Sequence, residues 1–501
     1  MAKNYGRAVL LGMGGFYFGY YIAVFNPLSK PVLIGVLGYD EVKDAGALQT
    51  LNGMTNFLFA IGATIGVLLT GQLADRFGRL ALLYAGEVLA LLCIVPYVIA
   101  TTPALLIARV ISGIVAGVNS SIFTIIMAEW LPNSVCGFGN GFGYAALSLG
   151  SLMSFLSQNV LDYQGLVDYW RVVLVYPQIV SIVRLILFPF FIPHDTPKYL
   201  FMRSKTKEEG EQLVRRSTSL IYNPAATETN INTTVAFLSK QKEGGKLTLS
   251  KLFSKKYRLR LFSGCFVSLA QQISGINYFY VYSTAIFDDI SNNGKVVTLI
   301  IGISNMIGAL AVPYLISKLG RKTNLVVFCA AQVVGMYLVP IGWKSSQIWL
   351  MEAGVAIYIF GFAVGLGGTE TAYVGEILPP AGIGLALALH WLGAALVMIT
   401  SPPLIEKVGN LALMIFYGSF CAFATVILII YTIETKGKTE EQIEHEFENF
   451  GRSQQVAPEG GPKQVQNGES TTFKPLPQQT TEKVEHPVQI QDADNLITDR
   501  K

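Results

Sequence analysis

The chain has 501 residues, of which 51% are hydrophobic and 14% charged, and its formal net charge is +4. Soluble proteins carry about 25% charged residues, so this composition excludes an ordinary water-soluble fold. Lys and Arg form no basic face, which removes nucleic acid as a partner. The five cysteines include no Cys-x-x-Cys pair, so no metal or other cofactor is expected.

A membrane-spanning helix needs about 20 apolar residues. Windows of that size fall at roughly 8–28, 47–73, 80–100, 103–127, 137–160 and 172–193, and again at roughly 260–287, 296–316, 323–343, 347–375, 382–403 and 410–432. The start of the chain runs directly into the first window, which is too long for the apolar part of a secretory signal. The reading is an all-α membrane protein of twelve transmembrane helices in two six-helix bundles, 1–193 and 258–435. A charged linker with short helices, 194–257, joins them, and a tail covers 436–501, disordered from about 451.

Basic residues fix the expected orientation. Arg76 and Arg79 follow the second window, Lys318, Arg321 and Lys322 follow the eighth, and Lys436 and Lys438 follow the twelfth. With the linker they share one side, so both termini are expected in the cytosol. The halves also repeat. Ala128-Glu129-Trp130-Leu131-Pro132 is answered by Gly375-Glu376-Ile377-Leu378-Pro379, and Phe77-Gly78-Arg79 by Leu319-Gly320-Arg321, at nearly one spacing. Parallel six-helix repeats place a solute site between the halves, near the midplane.

Two motifs carry the chemistry. In Gly71-Gln-Leu-Ala-Asp75-Arg76-Phe77-Gly78-Arg79 a tight turn is flanked by charges able to bridge helix ends. Asp75, Arg76, Arg79 and Glu129, with Arg321 and Glu376 in the second half, form a candidate latch. The alternative is a plain positive-inside anchor. In Gln271-Gln272-Ile-Ser274-Gly275-Ile-Asn277 the paired amides donate and accept, as the hydroxyls of a polyol do. Ser274-Gly275 should loosen the helix. On an ideal helix Tyr278 and Tyr282 continue the stripe of Gln271. The plainer alternative is amides that hold helices together.

These motifs resemble the sugar porter family of the major facilitator superfamily. The loop at 71–79 matches, as do Arg109, Gly113 and Gly117 ahead of Glu129 and Pro132, the amide motif at 271–277, and Glu434-Thr435-Lys436-Gly437. His194-Asp195-Thr196-Pro197-Lys198 is a degraded form of another family signature. The resemblance runs to about residue 447. It implies carriage of a hexose-type sugar by alternating access, no enzymatic activity, and solute contacts at Gln271, Gln272, Asn277 and Asn305. Short cytoplasmic helices between the halves are implied as well.

The departures matter as much. Proton-driven members carry Asp after Phe-Gly-Tyr in the first helix, and here Phe18-Gly19-Tyr20 is followed by Tyr21. Tyr144 replaces the fifth helix's Gln, Cys136 an Arg, and Ser317 an acid. Gly365-Leu366-Gly367-Gly368 and Thr371 alter the tenth helix, and His390 precedes Trp391 in place of Asn. Passive carriage is therefore the first reading. Glu370 and His390 lie in apolar windows, where a bare charge costs about 2.5–3.5 kcal/mol. Paired across the tenth and eleventh helices, they either restore proton coupling, read a less ordinary organic solute, or form an interhelical hydrogen bond. The candidate solute set is Gln271, Gln272, Asn277, Tyr282, Asn305, Glu370, His390 and Trp391. Glu87 and Arg184 read as structural. A multi-pass plasma-membrane protein acting as a monomer is expected. A nutrient sensor of the same fold is the alternative from another class.

Overall fold

The computed structural model describes residues 2–221, 228, 231–232, 234–236, 238–239, 252–291, 293–438 and 440–450. The tail expected to be disordered from 451 lies outside these residues. Among the described residues, nine stretches are long and apolar enough to cross a membrane. They are span 1 (Lys3–Val36), span 2 (Ala45–Phe77), span 3 (Arg79–Val98), span 4 (Thr102–Trp130), span 6 (Tyr163–Phe191), span 8 (Gly294–Leu319), span 9 (Arg321–Lys344), span 10 (Ile348–Ile377) and Ala381–Tyr431. The last holds spans 11 and 12, because Gly409 turns the backbone with φ 81°. Two more helical segments complete the twelve: span 5, Asn133–Val160, and span 7, built from Arg258–Ile273 and Ile276–Ser291.

Spans 5 and 7 are less apolar because protein, not lipid, covers much of them. Ser151 of span 5 donates to the Gly19 carbonyl of span 1 at 2.9 Å. From span 8, Asn305 donates to Ser148 at 2.7 Å. Such hydrogen bonds allow polar side chains at membrane depth. Glycines set the close crossing of spans 2 and 4. A methyl group on Gly113 or Gly117 would collide with the Phe59 or Ala63 carbonyl, and one on Gly62 or Gly66 with span 4 in return. The Arg-x3-Gly-x3-Gly spacing is thus a backbone contact surface.

The halves meet along several pairs of spans. Toward the end remote from the start of span 1 and the finish of span 12, Asn26 of span 1 donates to the Tyr280 carbonyl at 2.9 Å and to Ser283 at 2.7 Å, and accepts from the Thr284 N–H. Gln49 of span 2 donates to the Pro402 carbonyl at 2.7 Å, and Thr284 donates to Gln158 at 3.1 Å. At mid-depth Phe18 and Phe59 pack on Trp391, with ring centroids 5.2 and 6.4 Å away.

Between span 6 and span 7, short helices cover Pro197–Arg203 and Lys207–Thr218. Each begins at a threonine, Thr196 or Thr206, whose hydroxyl accepts from the backbone N–H three residues on. Phe201 and Val214 share a small apolar cluster with Ile231, Val235 and Leu238. After span 12, helix Glu440–Glu448 is tied back by Lys256 to Glu444 and Glu448.

Candidate functional site

The motif of span 7 sits at a break in the helix. Gly275 adopts φ 95°, a region open to glycine, and a side chain there would strike Tyr417. The break frees the chain to turn, and the three amides gather at it. Gln272 donates its amide hydrogens to Gln271 Oε1 at 3.1 Å and to His390 Nε2 at 2.8 Å. Its oxygen accepts from Asn277. Gln271 reaches toward the Gly367 carbonyl of span 10 at 3.5 Å. A methyl group on Gly367 would meet the Tyr144 hydroxyl of the opposite half, at 2.5 Å. The amide cluster therefore lies where span 7, span 10 and the other bundle converge.

Glu370 and His390 come together as a pair. His390 Nδ1 lies 3.7 Å from Glu370 Oε1. Ser268 donates to the same oxygen and Thr371 to the other, at 3.2 Å. Glu370 is only 1% exposed. Trp391 stacks edge-on against His390 and reaches both aromatic rings of the first bundle. Asn305 faces Ser148 with its oxygen unpartnered.

The Tyr282 hydroxyl donates to the Met398 carbonyl at 2.7 Å, and Tyr278 donates to Asn410 at 2.9 Å.

The charged motifs form two matching clusters near the end where span 1 begins and span 12 ends. Arg79 makes a bidentate pair with Glu129, both bonds 2.9 Å, and meets Asp75 at 3.0 Å. Lys198 and Thr196 add contacts to Glu129 at 3.3 and 2.7 Å. In the second half Arg321 meets Glu376 at 2.6 and 3.1 Å. Where Asp75 stands in the first half, Ser317 stands in the second, and the Arg321 side chain is correspondingly more open, 22% exposed against 5% for Arg79. Arg76 does not join: it is exposed and lies over the Phe77 ring.

Two acids that spacing did not mark as functional hold the starts of spans 3 and 9. Asp195 accepts from the Arg79 and Leu80 N–H groups, and Glu434 from those of Arg321 and Lys322. Burial raises the Asp195 pKa despite these donors. Burial also pushes Glu434 upward, but the N–H groups of Lys436, Arg321, Thr323 and Thr435 outweigh it and hold that carboxyl below its ordinary value. The signal was present in both motifs as an acid beside a threonine.

Arg109, fully buried, is met by the Thr55 carbonyl at 2.9 Å, the Tyr21 carbonyl at 2.7 Å and the Asn56 side-chain oxygen at 3.2 Å. The rings of Phe25 and Phe59 flank it at 4.8 and 4.7 Å. Dipoles and aromatic faces thus stand where an acid would neutralise the charge. Glu87 and Arg184 pair with each other inside the first bundle.

The chain matches the family described as sugar (and other) transporter over residues 8–447. It belongs to that family. The hexose transporter 1 of Toxoplasma gondii is 27% identical over 467 residues, covering 86% of this chain and 80% of that protein. A probable plastidic glucose transporter 3 of Arabidopsis thaliana is 26% identical, covering 85% of each. The fold is that of the major facilitator superfamily. A structure of the proton:xylose symporter XylE superposes with TM-score 0.72 at 23% identity, over 89% of this chain and 99% of that one. The partially occluded inward-open form of XylE from E. coli gives 0.73 at 22%, over 88% and 100%. The protein is thus an integral, multi-pass membrane transporter of this family, not an enzyme.

Proposed function

We propose that this transporter carries a hexose-type sugar passively, by alternating access of one site between its two bundles. The observation that carries the reading is the cluster of Gln271, Gln272 and Asn277 at the helix break, joined to His390 beside Trp391 and, through Gly367, lying against the opposite half. Amides offer a neutral sugar both donors and acceptors without the cost of a buried charge. The relatives named as hexose and glucose transporters support the same substrate class.

Residues 1–193 and 258–435 are the moving bundles, and 194–257 links them. The Arg79–Glu129–Asp75 and Arg321–Glu376 clusters hold the terminal end of each bundle together and set how the ends meet. This end faces the cytosol, by the positive-inside rule, and the membrane is the plasma membrane. Passive carriage rests on Arg109, whose charge is met by carbonyls and an amide oxygen, so no acid beside it exchanges a proton.

Uptake of labelled glucose by purified protein in liposomes tests this. Glucose should equilibrate across the membrane, and an imposed acid-outside gradient should not drive it above the external concentration. Accumulation against its gradient would establish symport. Binding without flux would mean a sensor.

A further inference from the structure

The buried pair Glu370–His390 is joined directly to the amides assigned to the sugar, and the hydrogen-bond directions there are fixed by one imidazole. Gln272 Nε2 has two hydrogens, pointing at Gln271 Oε1 and His390 Nε2. His390 Nε2 must then accept, so the ring is neutral and carries its proton on Nδ1. That nitrogen faces Glu370 Oε1 at 3.7 Å, beyond hydrogen-bond reach, and has no other partner although buried.

A second proton changes this arrangement. Both nitrogens of an imidazolium donate. His390 Nε2–H would then face the Gln272 amine, two donors in opposition. Turning the Gln272 amide over presents Oε1 to His390. Its oxygen then also faces Gln271, which must turn its amine inward, and its amine faces Asn277, which must turn its oxygen inward. Three amides reverse in series, while Nδ1–H and Glu370 become a charge-assisted pair.

We propose that Gln272, His390 and Glu370 form a proton-binding site whose occupancy reverses the hydrogen-bond polarity of the Gln271–Gln272–Asn277 cluster, so that sugar affinity depends on pH. The proposal rests on the reading that these amides hold the sugar. The groups meeting Glu370 are His390, Ser268 and Thr371, and those meeting His390 are Glu370, Gln272 and the Trp391 ring. By linkage, a sugar that prefers one polarity shifts the proton equilibrium in return.

The Trp391 ring, 5.3 Å from His390, is a built-in reporter. Tryptophan fluorescence of the purified full chain is titrated from about pH 5 to 8, with and without glucose, for wild type and for His390→Asn. We expect a titration step in wild type that is absent from the variant and is moved by glucose, with apparent glucose affinity changing about fivefold or more across the range. His390→Gln replaces His390→Asn if the latter does not fold. A step of equal size in the variant, or one that glucose leaves in place, overturns the proposal. Liposomes that carry no glucose at any pH would sink the carrier reading instead, and the titration without sugar would still decide whether the proton binds.

Discussion

Replacing Gln272 by Ala should lower glucose flux in liposomes by about 10- to 100-fold, with unfolding temperature little changed. One side chain here serves three partners, donating to Gln271 and His390 and accepting from Asn277. Each hydrogen bond whose loss strands a buried partner costs about 1–3 kcal/mol. Part of that cost falls on the empty protein, but the orientation of Gln271 and Asn277 toward the sugar falls with it. The loss should therefore appear mainly as a raised KM, the signature of binding lost equally from ground and transition states. Tyr282→Phe is the informative contrast. Its hydroxyl is committed to the Met398 carbonyl, so its removal should change flux far less. Equal losses in the two variants would mean that the amides merely join helices.

The second large effect concerns stability. Glu87→Ala should destabilise the protein by about 3–5 kcal/mol, the range for stripping one partner from a buried ion pair, read as a lower unfolding temperature in detergent. Arg184 is 1% exposed and also donates to the Leu10 and Leu11 carbonyls at 3.2 and 3.4 Å and to Asn119 at 3.4 Å. Spans 1, 3, 4 and 6 therefore converge on one guanidinium. The Leu10 and Leu11 carbonyls are free to accept because the helix of span 1 is interrupted at Met13. Without Glu87 the cation remains and its counter-charge is gone. Glu87→Leu combined with Arg184→Met removes both charges and should recover much of the loss, though not all, because the two carbonyls lose their donor. A double variant less stable than Glu87→Ala would contradict this account.

Much of this architecture was legible in the sequence, and the reasons are physical. Apolar windows reveal spans because lipid demands them, and the paired Gly-Arg turns revealed the repeat because a positive φ at Gly78 and Gly320 restricts what can stand there. The amide motif stood out through residue type alone, and its three amides gather at the helix break. What could not be read depended on backbone. The partners of Arg109 are chiefly carbonyls, which every residue possesses, so no side-chain pattern names them. The helix break was visible in Ser274-Gly275, but its size was not. Asp195 and Glu434 were seen as parts of motifs. Their role in capping spans 3 and 9 became visible only once those helix starts lay beside them. Glu370 and His390 were expected to meet across neighbouring helices, and they lie 3.7 Å apart; the link through Gln272 required the break to bring span 7 against span 11.

The central claim is that the bundles must separate at the end remote from the start of span 1 for sugar to pass. Asn26 and Ser283 join them there, 2.7 Å apart. Cysteines placed at both positions, in a background without reactive thiols, should cross-link on oxidation and halt glucose flux, and reductant should restore it. Complete cross-linking with flux unchanged would contradict the rocking of the two halves.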